Sequence, residues 1–114
     1  MKLQVDGQKL RVSIDEAELA RLFDGHALQN VTCFADAFSM RVTIELEEGD
    51  VVSLTGEAAA WRIAIPATAL QQHATKLPSR DGLHFRLSGQ TQAAALELLF
   101  DVDVRDSVRR RRNS

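Results

Sequence analysis

Apolar and polar residues alternate along most of this chain, with the period of two that belongs to half-buried β-strands. In KLQVDGQKLRVSI, Leu3 and Val5 are set among polar neighbours. Asp6-Gly7 interrupts, and Leu10, Val12 and Ile14 resume on one face against Lys9, Arg11 and Ser13. Asp and Gly both tolerate positive φ, so this pair predicts the turn of a hairpin. The period then changes. In IDEAELARLFDG, Leu19, Leu22 and Phe23 make a helical stripe, and Asp15 stands where it can cap free amides. Glu18 is its capping-box partner, Ile14 and Leu19 have hydrophobic-staple spacing, and Gly25 is placed to stop the helix.

Alternation returns in LQNVTCF, where Val31 and Cys33 share an apolar face, and in FSMRVTIELE. There Phe38, Met40, Val42, Ile44 and Leu46 oppose Ser39, Arg41, Thr43, Glu45 and Glu47. After the EEGD turn, VVSLTG and WRIAIP read as strands, the second with Trp61, Ile63 and Ile65 inward. Pro66 suits the first turn of a helix, continued by ATALQQHA with Ala67, Leu70 and Ala74 on one side. LHFRLSG and AAALELLFDVDV complete the pattern, the latter alternating at Leu96, Leu98, Phe100 and Val102.

LRVSIDEAEL and WRIAIPATAL share a strand, a helix start and a closing leucine at an offset of 51 positions. The echo fits two β-β-α-β-β units, or the chance recurrence of one pattern in an α+β chain. Either way the expected class is α+β: seven or eight mostly antiparallel strands in a small barrel or sandwich, with two short helices.

Length and charge refine this. A chain of 114 residues suits one domain, expected as a compact body over 1–106 and a disordered basic tail over 107–114. The lone Cys33, the lack of a signal-like apolar run behind Met1 and the lack of any apolar stretch of roughly 18–20 residues predict a cytoplasmic protein off the membrane. The net charge is −2, from 14 basic and 16 acidic residues. Without Arg109, Arg110, Arg111 and Arg112 the body holds ten basic against sixteen acidic residues, or −6. An acidic body repels phosphate, so specific nucleic-acid recognition is not expected, and the tail offers only a weak nonspecific contact.

The opening MKLQVDGQKLRVSIDEAEL resembles a family of short, uncharacterised bacterial proteins. These begin with Met-Lys, a strand, a turn, an LRLRL-like strand, a polar cap and a helix. Lys2, Leu10, Arg11 and Pro66 carry most of the match, and VTCFADAFSMRVTIEL, WRIAIP and LELLFDVDV fall where that family has strands. Gln8-Lys9 stands where Asn-Ser is usual in the family, and the last strand and tail also depart from it. The resemblance implies a compact β-rich fold and supplies no active site.

Candidate chemistry is sparse. His26, His73 and His84 lack the spacing of a zinc site and read as surface or capping residues; Cys33 reads as a small core residue. The acidic stretches ELEEGD and FDVDVRD read as solvated turns, because the Asp-x-Asp-x-Asp-Gly calcium loop is missing. No metal and no cofactor is expected. Arg11 and Arg62 hold equivalent places in the two units. With Arg41 and Arg86 they could line a groove for an anionic ligand, or pair with neighbouring carboxylates. The sequence thus predicts a non-enzymatic binding or assembly module, working on an unknown protein partner or by self-association through a strand edge. Its alternative is a small enzyme or metabolite-binding protein with an arginine-lined pocket.

Overall fold

The turn at Asp6-Gly7 forms with Gly7 at φ +56°, and across it β1 (Lys2–Asp6) pairs antiparallel with β2 (Lys9–Asp15). The computed structural model describes residues 1–79 and 81–104. It continues with α1 (Glu16–Phe23), β3 (Leu28–Phe34), β4 (Phe38–Glu47), β5 (Ser53–Glu57) and β6 (Ala60–Pro66). Then come α2 (Ala67–Ala74), β7 (Leu83–Leu87), a single 3-10 turn at Gln92–Ala94, and β8 (Leu96–Asp103). The class is α+β. The tail predicted at 107–114, with Arg109 to Arg112, lies outside the described residues.

The strands form two four-stranded sheets, ordered β1-β2-β8-β7 and β3-β4-β6-β5. Outer pairings are antiparallel, whereas the central seams, β2 with β8 and β4 with β6, are parallel. The sheets are therefore mixed. A barrel would need hydrogen bonding to run round without an edge, and here β1, β7, β3 and β5 all stand at edges. The barrel alternative is therefore set aside.

Chain order explains the seams. The β2–α1 and β6–α2 pairs have equal lengths, with every boundary shifted by 51 positions. Each β-β-α-β-β run places its first hairpin in one sheet and its last strand pair in the other. Neither run makes a sheet by itself.

Period-two alternation fills the space between the sheets. Leu10, Val12 and Ile14 of β2, Leu98, Phe100 and Val102 of β8, Val42 and Ile44 of β4, and Ile63 and Ile65 of β6 join Leu19, Leu22 and Leu70 in one buried apolar cluster. The four seam strands supply most of it. Edge strands contribute partly buried residues such as Leu3, Leu83 and Phe85.

Helix α1 starts as its sequence predicts. The Asp15 carboxylate accepts from the Glu18 amide at 2.8 Å, and Glu18 Oε1 accepts from the Asp15 amide at 3.1 Å. The α-ammonium of Met1 also donates to both Glu18 oxygens, at 2.9 and 2.8 Å, tying β1 to the helix. Phe23 departs from expectation. It is the last residue of a short helix and is partly exposed, while Leu19 and Leu22 alone form the buried stripe. Pro66 closes β6 and stands at the N-cap of α2, one position earlier than the sequence suggests.

Candidate functional site

The four arginines proposed as a groove are distributed over two outer sheet faces. Buried Leu10 and Val12 flank Arg11, and half-buried Trp61 and buried Ile63 flank Arg62, so alternation turns both guanidinium groups outward, one on each sheet. Arg11 Nη2 donates to Asp101 Oδ2 at 2.6 Å, and Arg62 Nε donates to Glu45 Oε1 at 2.7 Å. Arg86 is exposed on β7 opposite Glu97, in a row of alternating sign: Asp6, Lys9, Glu97, Arg86. Arg41 is exposed on the other sheet between Val31 and Ala60. Arg11 and Arg86 share one sheet, Arg41 and Arg62 the other, and one pocket does not collect all four.

The remaining candidates are also placed. His26 and His84 are exposed. His73 is buried, against the expectation of a surface or capping role. It lies three residues after Leu70 on the face α2 turns inward, and its Nε2 has no hydrogen-bond partner among the described residues. Cys33, expected in the core, is exposed. The edge strand β3 buries Leu28 and half-buries Asn30 and Thr32, which turns Gln29, Val31 and Cys33 to the outside. Among the described residues, no group of three or more His, Cys, Asp and Glu side chains could hold a metal ion. No helix there is long and apolar enough to cross a membrane.

A different feature emerges where the first hairpins of the two runs approach one another. A groove of about 350 Å³ is lined by Val5, Leu10, Leu54, Thr55, Gly56, Glu57, Ala58, Trp61 and Leu96. Leu10 and Trp61 occupy equivalent places in the two runs, 51 positions apart, and both line it. Leu10 is buried, whereas Val5 is 63% and Leu54 38% exposed. β1 and β5, which supply Val5 and Leu54, are both open edges. Glu57 is the one charged residue lining the groove.

Local backbone chemistry shapes one wall. The turn between β5 and β6 is closed by Gly56 at φ +98°, and a Cβ there would lie 2.2 Å from the Ala60 carbonyl oxygen. Only glycine fits so close an approach. Across the same turn the Trp61 indole donates its Nε1 hydrogen to the Ala58 carbonyl at 2.6 Å, fixing the ring against the groove. The site therefore combines a hydrogen-bonded aromatic wall, buried Leu10 and two strand edges without a strand partner among the described residues. It can hold an apolar side chain and hydrogen-bond an extended backbone beside it. Nothing in the sequence pattern marks it apart from the Leu10–Trp61 equivalence, because Val5, Leu54 and Leu96 are distant in sequence.

No protein-family model and no curated protein matches this chain.

Proposed function

We propose that the protein is a non-enzymatic binding module that takes an extended segment of a protein partner into the groove between its β1–β2 and β5–β6 hairpins. The observation that carries this reading is an apolar groove whose partly exposed residues, Val5 and Leu54, belong to two open edge strands. An edge supplies backbone donors and acceptors to an added strand, and the groove supplies a seat for one of its side chains. Glu57 in the lining, on a body of charge −6, favours a partner with a basic residue beside its apolar anchor. The arginine-pocket alternative loses support, because Arg11 and Arg62 already face carboxylates.

Trp61 is the chain's single tryptophan and lines the groove, so its fluorescence reports occupancy. The probe is a short peptide of alternating leucine and threonine with a lysine at one end. Titration is expected to shift Trp61 emission saturably, and Leu54→Lys, which puts a charge on the rim, is expected to remove the response while leaving circular dichroism unchanged. Emission that stays constant through the titration, or a response that Leu54→Lys leaves intact, overturns the reading.

A further inference from the structure

Four strand edges are open among the described residues, and they differ in charge. β1 carries Lys2 and Asp6, β5 ends on Glu57, and β7 carries His84 and Arg86. β3, LQNVTCF, has seven residues without a charge or a proline. Edge strands ordinarily carry such residues because an unblocked edge is a template for another strand. The β3–β4 hairpin also presents exposed apolar side chains. Val31 is 54% exposed on its outer face, and Phe34 and Phe38, 42% and 64% exposed, stack at 4.8 Å at the end of the β3–β4 hairpin.

We propose that this edge is covered by the same edge of a second copy of the chain, paired antiparallel about a two-fold axis midway between the two copies of Val31. Two features of β3 select a second copy. First, an antiparallel ladder between identical strands is self-complementary, and a neutral edge pairs with itself without placing like charges opposite. Second, the residues match. With Val31 opposite its own copy, Leu28 faces Phe34 and Asn30 faces Thr32, so apolar meets apolar and polar meets polar, while Gln29 faces the uncharged Cys33. This register pairs all seven residues and keeps each half-buried residue on the inner face, whereas a slip by one would turn them outward. The two β3-containing sheets then join as one eight-stranded sheet. This interface is separate from the groove, so either proposal can fail without the other.

The test is the solution mass of the full chain over a dilution series. The expected species has twice the 12.6 kDa chain mass. Val31→Lys sets two ammonium groups against each other across the axis and is expected to halve that mass with an unchanged circular dichroism spectrum, since Val31 is 54% exposed in the single chain, while the thermal midpoint falls to that of the unpaired chain. Gln29→Cys tests the register: with the native Cys33 opposite, oxidation is expected to give a covalent dimer that the wild type, holding only Cys33, does not form. A chain at 12.6 kDa throughout, a dimer that survives Val31→Lys, or a Gln29→Cys dimer that does not cross-link each overturns the proposal.

Discussion

Arg11 and Asp101 form an ion pair that Arg62 and Glu45 repeat on the other sheet, each arginine reaching a carboxylate two positions beyond its own cross-strand neighbour on the parallel strand. Both pairs span a seam between the two β-β-α-β-β runs. Both arginines stay largely wet, with side chains 50% and 62% exposed.

Exposure sets the first prediction. Arg11→Ala and Arg62→Ala are each expected to lower stability by about 0.2–1 kcal/mol, the range for solvated pairs. The two losses should add in the double variant, because the pairs share no group. Urea unfolding at low and high salt checks this, and the losses should shrink as salt rises. Losses of several kcal/mol, or losses insensitive to salt, would show that the pairs act as more than surface clasps.

The start of α1 sets the second. Asp15→Ala removes one cap and is expected to cost about 1 kcal/mol. Glu18→Ala should cost more, about 1–3 kcal/mol, because the same carboxylate serves the Asp15 amide and the Met1 ammonium in a part-buried setting. Glu18→Gln should fall between them, keeping an acceptor for the amide without the charge. Thermal unfolding of the three variants gives the order.

How much of this was legible in the sequence depended on whether a feature was local. Strand and helix positions, the capping box at Asp15 and Glu18, and the inward set Leu10, Val12 and Ile14 follow from patterns within a few residues. The parallel seams do not, because alternation says which face of a strand is buried and never names its neighbour. β3 was misread for a related reason. Leu28 lies on one face while Val31 and Cys33 lie on the other, so its apolar residues do not settle its orientation, and only pairing with β4 does. The equivalence of Arg11 and Arg62 was visible, but their carboxylates come from strands of the opposite run. Apart from the equivalence of Leu10 and Trp61 the groove was hidden, since it exists only once two hairpins some 50 positions apart are placed together.

His73 supplies the third prediction. Its Nε2 is buried without a partner among the described residues, on a helix held by the neighbouring Leu70. A buried polar atom left unpaired costs about 1–3 kcal/mol, and an apolar side chain of similar size removes that cost. His73→Leu is therefore expected to raise the unfolding midpoint in urea, with an unchanged denaturant slope. A fall in stability would mean that the imidazole does structural work at that position.

The last prediction separates two glycines that share positive φ but not their surroundings. Gly7 has φ +56° and nothing within 4 Å of where a Cβ would stand, so Gly7→Ala carries only the left-handed backbone penalty, roughly 1–2 kcal/mol. Gly56 has φ +98°, and its added Cβ would lie 2.2 Å from the Ala60 carbonyl oxygen, 3.3 Å from that carbonyl carbon and 3.5 Å from the Trp61 Cα. Gly56→Ala must therefore push backbone apart and should cost clearly more than Gly7→Ala. It should also move Trp61, whose indole is fixed across the same turn by its hydrogen bond to Ala58. Paired measurements of thermal midpoint and tryptophan emission distinguish the cases: Gly7→Ala should change the midpoint alone, and Gly56→Ala should change both. Equal midpoints, or an unmoved emission maximum in Gly56→Ala, would show that this turn yields easily and that the aromatic wall of the groove does not depend on it.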